Sequence, residues 1–109
     1  MAAGYVVVYV TVPNPEEGEK IARELLNKKL AACVSTVPGI RSSYWWQGKI
    51  ENSAECLLII KTKKTLMNRL TKSVKSIHSY KVPEIISMPI SGGNKDYLCW
   101  IENSVANKR

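Results

Sequence analysis

A chain of 109 residues, 45% hydrophobic and 23% charged, has the composition of one globular domain, which excludes a disordered tail and leaves no room for a second domain. Three cysteines are too few, and odd in number, for a disulfide scaffold, so reduced thiols are expected. Sixteen Lys plus Arg against nine Asp plus Glu give a net charge of +7, but the basic residues form no block, and most of the excess is expected to be solvated surface.

Residues 5–12, YVVVYVTV, are a continuous β-branched and aromatic run that predicts a strand buried on both faces. Pro13 ends it. Asn14 is placed to cap a helix, Pro15 suits its first position, and Glu16 and Glu17 sit where the helix dipole favours acids. Ile21, Ala22, Leu25, Leu26 and Leu30 make an apolar stripe at helical spacing, which predicts a helix over 15–30. Residues 31–37 turn strand-like, Pro38-Gly39 signals a bend or bulge, and IRSSYWW at 40–46 resumes the strand. Gln47-Gly48 reads as a turn. Lys49 to Glu51 continues a long bent strand, Asn52-Ser53 reads as another turn, and AECLLIIKT at 54–62 is the third strand. Thr65 is expected to cap a second helix whose face carries Leu66, Leu70, Val74 and Ile77. VPEIISMPI at 82–90 is a fourth strand that Pro83 and Pro89 confine to an edge. Residues 95–104 suit a short C-terminal helix or a further strand, and 106–109 read as a frayed end.

The order β-α-β-β-α-β is the ferredoxin-like plan, an α+β sandwich with two helices on one face of a four-stranded antiparallel sheet. Its strands carry too many consecutive apolar residues for the other face to be wet. A chain this small buries only about 60–70% of its unfolded surface. The expected cover is therefore another copy of the same sheet.

His78, in SIHSY, has no triad-like partner in the sequence; a histidine stabilised by a helix C-terminus is the plainer reading. Cys33, Cys56 and Cys99 could supply soft metal ligands, yet none has a paired-ligand spacing, and Cys33 and Cys56 sit in apolar strand runs where cysteine is a small hydrophobe. Tyr44-Trp45-Trp46 could stack bases on an exposed sheet, but the third strand offers aliphatic residues where an RNA recognition motif needs rings, so no nucleic-acid partner is expected. No apolar run reaches the roughly 20 residues of a membrane span. The start, Met1-Ala2-Ala3-Gly4, lacks signal- or transit-peptide character, so a cytoplasmic location is expected, or an organellar one if a precursor segment was removed.

Several separated segments, KLAACVS at 29–35, YWWQGKIENSAE at 44–55, HSYKVPEII at 78–86 and NKDYLCWI at 94–101, together with TVPN at 11–14, resemble the CutA family of divalent-cation tolerance proteins. The likeness covers about residues 5–104, within a single domain spanning 1–109. It implies a ferredoxin-like subunit with extended strands, assembled as a homotrimer, non-enzymatic, and associated with tolerance of copper or another divalent cation. A copper site proposed for bacterial relatives carries over only in part: Val10 stands where a cysteine is expected, and Ile77-His78 replaces a histidine pair, leaving His78 as the one metal-ligand candidate. The resemblance further suggests an inter-subunit cleft holding Trp46, Lys49, Lys61, Tyr80 and Glu84. The alternative is a module like the PII signalling proteins, binding a small anion or nucleotide at subunit boundaries; the lack of a long flexible effector loop weighs against it.

Overall fold

Along β1 (Tyr5–Val12) every second side chain is buried, namely Val6, Val8, Val10 and Val12, while those between are half-buried. The computed structural model describes residues 4–106, so the readings of Met1 to Ala3 and of a frayed end at 107–109 lie outside the described residues. Within one chain this strand is thus buried on one face, because the helices of the chain cover only the even-numbered side chains.

The remaining elements are α1 (Pro15–Asn27), β2 (Cys33–Trp46), β3 (Lys49–Lys63), α2 (Met67–Ile77), β4 (Ile85–Pro89) and α3 (Lys95–Ser104). The sheet order is β2-β3-β1-β4 with every neighbouring pair antiparallel, as the ferredoxin-like plan requires. Between sheet and helices lies the core, where Val8, Val10, Leu58 and Ile60 meet Ile21, Leu25, Leu70 and Val74, all fully buried.

Several boundaries differ from those expected. The first helix stops at Asn27, not at residue 30: Lys29 takes a left-handed conformation (φ 57°), and the Leu30 N–H donates to the Leu25 carbonyl. Leu30 is buried all the same, by the turn rather than by a further helical turn. Asn52-Ser53 is not a turn. Both residues sit inside β3 opposite Ser43 and Ser42, where Ser43 Oγ donates to Asn52 Oδ1 at 2.6 Å and the Tyr44 hydroxyl lies 2.7 Å from Ser53 Oγ. Gln47 and Gly48 make the hairpin turn, both at positive φ, and the Pro38-Gly39 signal is a bulge where the β2–β3 register shifts between Val37 and Ile40. Thr65 caps no helix; it lies in a 3-10 turn (Lys64–Leu66) that leads into α2, whose N-cap residue is Leu66. The fourth strand shrinks from 82–90 to Ile85–Pro89 and lies at the sheet edge, as its prolines require. The last segment is a helix, capped by the Asn94 side chain on the Asp96 N–H, and Ala106 is not frayed: its N–H bonds to the Lys29 carbonyl at 2.8 Å.

The β2–β3 hairpin reaches well past the helices, giving the molecule a long axis of 45 Å. At its tip Trp45 and Ile50, paired across the strands, are 72% and 62% exposed. On the face away from the helices, register places Met88, Val7, Lys61 and Cys33 in one row and Ile86, Tyr9, Ile59 and Ser35 in the next. That open face is predominantly apolar.

Candidate functional site

Where the open face meets the base of the hairpin lies a cleft of about 550 Å³. Three pieces of chain build it. β1 contributes Thr11, the hairpin contributes Tyr44, Trp46 and Glu55, and the segment joining α2 to β4 contributes Tyr80, Lys81 and Glu84. The chain leaves α2 at His78, whose extended backbone ends the helix, and Pro83, which has no backbone donor, stands just before β4.

His78 works from beneath. Its side chain is buried; Nε2 lies 2.8 Å from the Thr11 carbonyl oxygen, and Nδ1 accepts the Tyr80 N–H at 3.0 Å. These two bonds fix the tautomer with the proton on Nε2. Glu17, on α1, accepts the Ser79 N–H at 2.8 Å and stands 3.4 Å from Nδ1. The ring also lies 4.8 Å from that of Tyr80, centroid to centroid. Both nitrogens are therefore occupied in clamping 78–80 onto β1, and in this arrangement neither is free for a metal.

Tyr80 faces Glu55. The phenol donates to Glu55 Oε2 at 2.6 Å, and Glu55 is only 8% exposed. Burial first, then this hydrogen bond and the nearby carboxylate charge, push the Tyr80 hydroxyl well above the ordinary tyrosine range. A buried carboxylate with a phenol donor, a second carboxylate at Glu84, the Lys81 ammonium and two aromatic walls make a site of mixed charge. It can hold a small polar or ionic ligand by hydrogen bonding against an aromatic surface.

Of the residues suggested for the cleft, Trp46, Tyr80 and Glu84 come together there. Lys49 pairs with Trp46 at the hairpin end and lies next to the cleft rather than in its lining. Lys61 is six residues along β3 from Glu55, about 20 Å at strand rise, beside Val7 and Cys33 on the open face. Glu55 was not singled out from the sequence. Its signal was an acid between Ala54 and Cys56 at the start of an apolar strand run. Cys56 is buried, Cys33 half-buried and Cys99 exposed. Among the described residues no group of three His, Cys, Asp or Glu side chains is gathered to hold a metal ion, so the donors of one chain do not fit a metal centre.

Comparison with known proteins gives consistent matches. A family model described as "CutA1 divalent ion tolerance protein" matches residues 6–104. Rice "Protein CutA 1, chloroplastic" is 57% identical over 99 residues, covering 91% of this chain and 56% of the relative. The crystal structure of CutA1 from Oryza sativa matches with a TM-score of 0.94 at 53% identity, covering 96% of both chains. The divalent cation tolerance protein of Thermus thermophilus matches with a TM-score of 0.92 at 42% identity, over 94% of this chain and 99% of that one. The chain spans 56% of the length of the curated rice and Arabidopsis relatives it matches.

Proposed function

The chain belongs to the CutA1 divalent ion tolerance protein family, and from that premise we propose that it acts as a non-enzymatic homotrimer in tolerance of a divalent cation, copper or another. The whole chain, 1–109, is read as one domain with its core over about 5–104. The observation that carries the reading is the predominantly apolar open face, which borders the cleft at Thr11 and Glu55. Val37, Ile86 and Met88 are exposed there, beside half-buried Val7, Tyr9, Leu57 and Ile59. A copy of the same sheet is the natural cover, and covering this face would wall the cleft with a second chain.

Among the described residues one chain offers Glu55 and Glu84 but no complete ligand set, so the cation reading needs donors from neighbouring copies. Trp46, Tyr80 and Glu84 form the proposed cleft, and Lys49 and Lys61 would join it only across subunits. His78 would join a metal site only by giving up at least one of its two present bonds, the Tyr80 N–H on Nδ1 first. A small anion would find Lys81 and any such neighbouring lysine. The matches lend no support to the PII-like alternative. The rice and Arabidopsis relatives are named chloroplastic, which supports the organellar location over the cytoplasmic one.

The test is a copper(II) titration by calorimetry on protein whose mass in solution has been measured by light scattering. A three-chain mass is expected, with copper affinity weakened at least tenfold by Glu84→Gln. A single-chain mass, or affinity that neither Glu84→Gln nor His78→Ala alters, overturns the cleft as the cation site.

A further inference from the structure

A second hollow, of about 530 Å³, lies on the helical layer, away from the open sheet face. It opens between the end of α1, which supplies Lys28 and the turn residue Leu30, and one stripe of α2, which supplies Arg69, Lys72, Ser73 and Ser76. The spacing 69, 72, 73, 76 is i, i+3, i+4, i+7, so the four side chains share one helix face. Three cations line it and, among the described residues, no acid does. Lys28 is paired with Glu24, whereas Arg69 and Lys72 have no ion-pair partner among the described residues.

Ser73 marks this hollow as more than a charged surface. It is 6% exposed, it lines the hollow, and its Oγ has no hydrogen-bond partner among the described residues. Helical serines usually bond the carbonyl one turn back, as Ser104 does to Trp100 and Ser76 does to Ser73. A buried hydroxyl left unbonded by the described residues, in a hollow lined by cations, calls for an acceptor.

We infer that this hollow binds a phosphate group, held by Arg69 and Lys72 with Lys28 in reserve, and accepting a hydrogen bond from the Ser73 hydroxyl. Guanidinium and ammonium donors suit a tetrahedral oxyanion, and the hydroxyl gains its missing partner. The buried Leu30 side chain gives the hollow an apolar floor, and its volume exceeds that of a lone phosphate, so the ligand class is a small phosphorylated molecule or inorganic phosphate itself. The site is independent of the cleft and of any assembly through the open face.

The experiment titrates the full chain with inorganic phosphate and, separately, with ribose 5-phosphate at constant ionic strength, reading backbone amide shifts by NMR. Saturable shifts at Lys28 and at 69–76 are expected, absent when sodium chloride replaces phosphate. Arg69→Gln/Lys72→Gln, both at exposed positions, should weaken binding at least tenfold. Ser73→Ala should weaken it severalfold without lowering the melting temperature of the unliganded protein. Tighter binding of ribose 5-phosphate assigns the site to a phosphate ester, and equal binding assigns it to the free ion. No saturation at millimolar phosphate, an equal response to chloride, or unchanged affinity in either variant overturns the site.

Discussion

Two tyrosines of this fold are held by carboxylates in different ways. The Tyr80 phenol donates to buried Glu55, whereas Tyr5 donates at 3.1 Å to Glu102, which also accepts from Lys63 Nζ at 2.9 Å. Burial and then its hydrogen bond raise Tyr5 above the ordinary range, while the Lys63 hydrogen bond foremost holds Glu102 below the usual carboxylate range. For Tyr80 the sign of the pH effect follows directly. Unfolded tyrosine ionises near pH 10, where folded Tyr80 keeps its proton. Below that pH both states hold the proton and the bond contributes fully; above it the unfolded state alone loses a proton, and stability falls as pH rises. Tyr80→Phe should therefore flatten the fall in melting temperature between pH 9 and 11 while costing about 1.5–3 kcal/mol at neutral pH, the range for a hydrogen bond to a charged group. Parallel alkaline slopes in the two proteins would show that Tyr80 is not held in this way.

At the scale of elements, α1 is positioned by what its second turn lacks. A Cβ on Gly18 would stand 3.2 Å from Leu58 Cδ2 and 3.3 Å from Val12 Cγ2, so helix and sheet approach more closely than a larger side chain permits. Gly18→Val should lower stability by about 1–3 kcal/mol, as overpacking of a filled core does, read as a reduced guanidinium midpoint with unchanged slope. An unchanged midpoint would mean that α1 slides freely on the sheet. The same close fit explains which elements were legible in the sequence. Runs such as YVVVYVTV and the Ile21–Leu25 stripe declare strand and helix because their apolar period is long. Leu30 extended the expected helix because a buried residue at helical spacing looks the same whether a helix or a tight turn buries it. Asn52-Ser53 read as a turn because the cross-strand bonds from Ser43 and Tyr44 that hold it in a strand join residues nine positions apart. The cleft was legible to the same degree. Tyr80 and Glu84 lie within one segment and could be noticed together, but Glu55 is 25 residues from the phenol it binds, and no local pattern ties the two. Arg69 and Lys72 stand in the sequence as ordinary surface cations; that the serine on their helix face lacks a partner among the described residues is a property of packing alone.

For the whole molecule the governing fact is a sheet with one finished face. The helices exclude water from the even-numbered side chains of β1, while Ile86 and Met88 on β4 stay 51% and 38% exposed on the other side. Apolar area withdrawn from water is worth about 25 cal/mol per Å², so a face of this width gives association a large driving force once a matching surface is available. The +7 charge opposes it, and Lys61, half-buried in the row of Val7, Met88 and Cys33, is the cation that an assembly must accommodate at its interface. Repulsion between such lysines is screened at physiological salt over about 8 Å, whereas burial of the neighbouring apolar rows is not. Ile59, between Tyr9 and Ser35, occupies the middle of that face and touches none of the helical core. Ile59→Glu would place a charge where the proposed trimer closes, so on that proposal light scattering at micromolar concentration should give a three-chain mass for the parent protein and one chain for the variant, while far-ultraviolet circular dichroism keeps its native form. A three-chain mass that persists in this variant would mean that the copies associate elsewhere, and the cleft would then have to be explained as a feature of one chain.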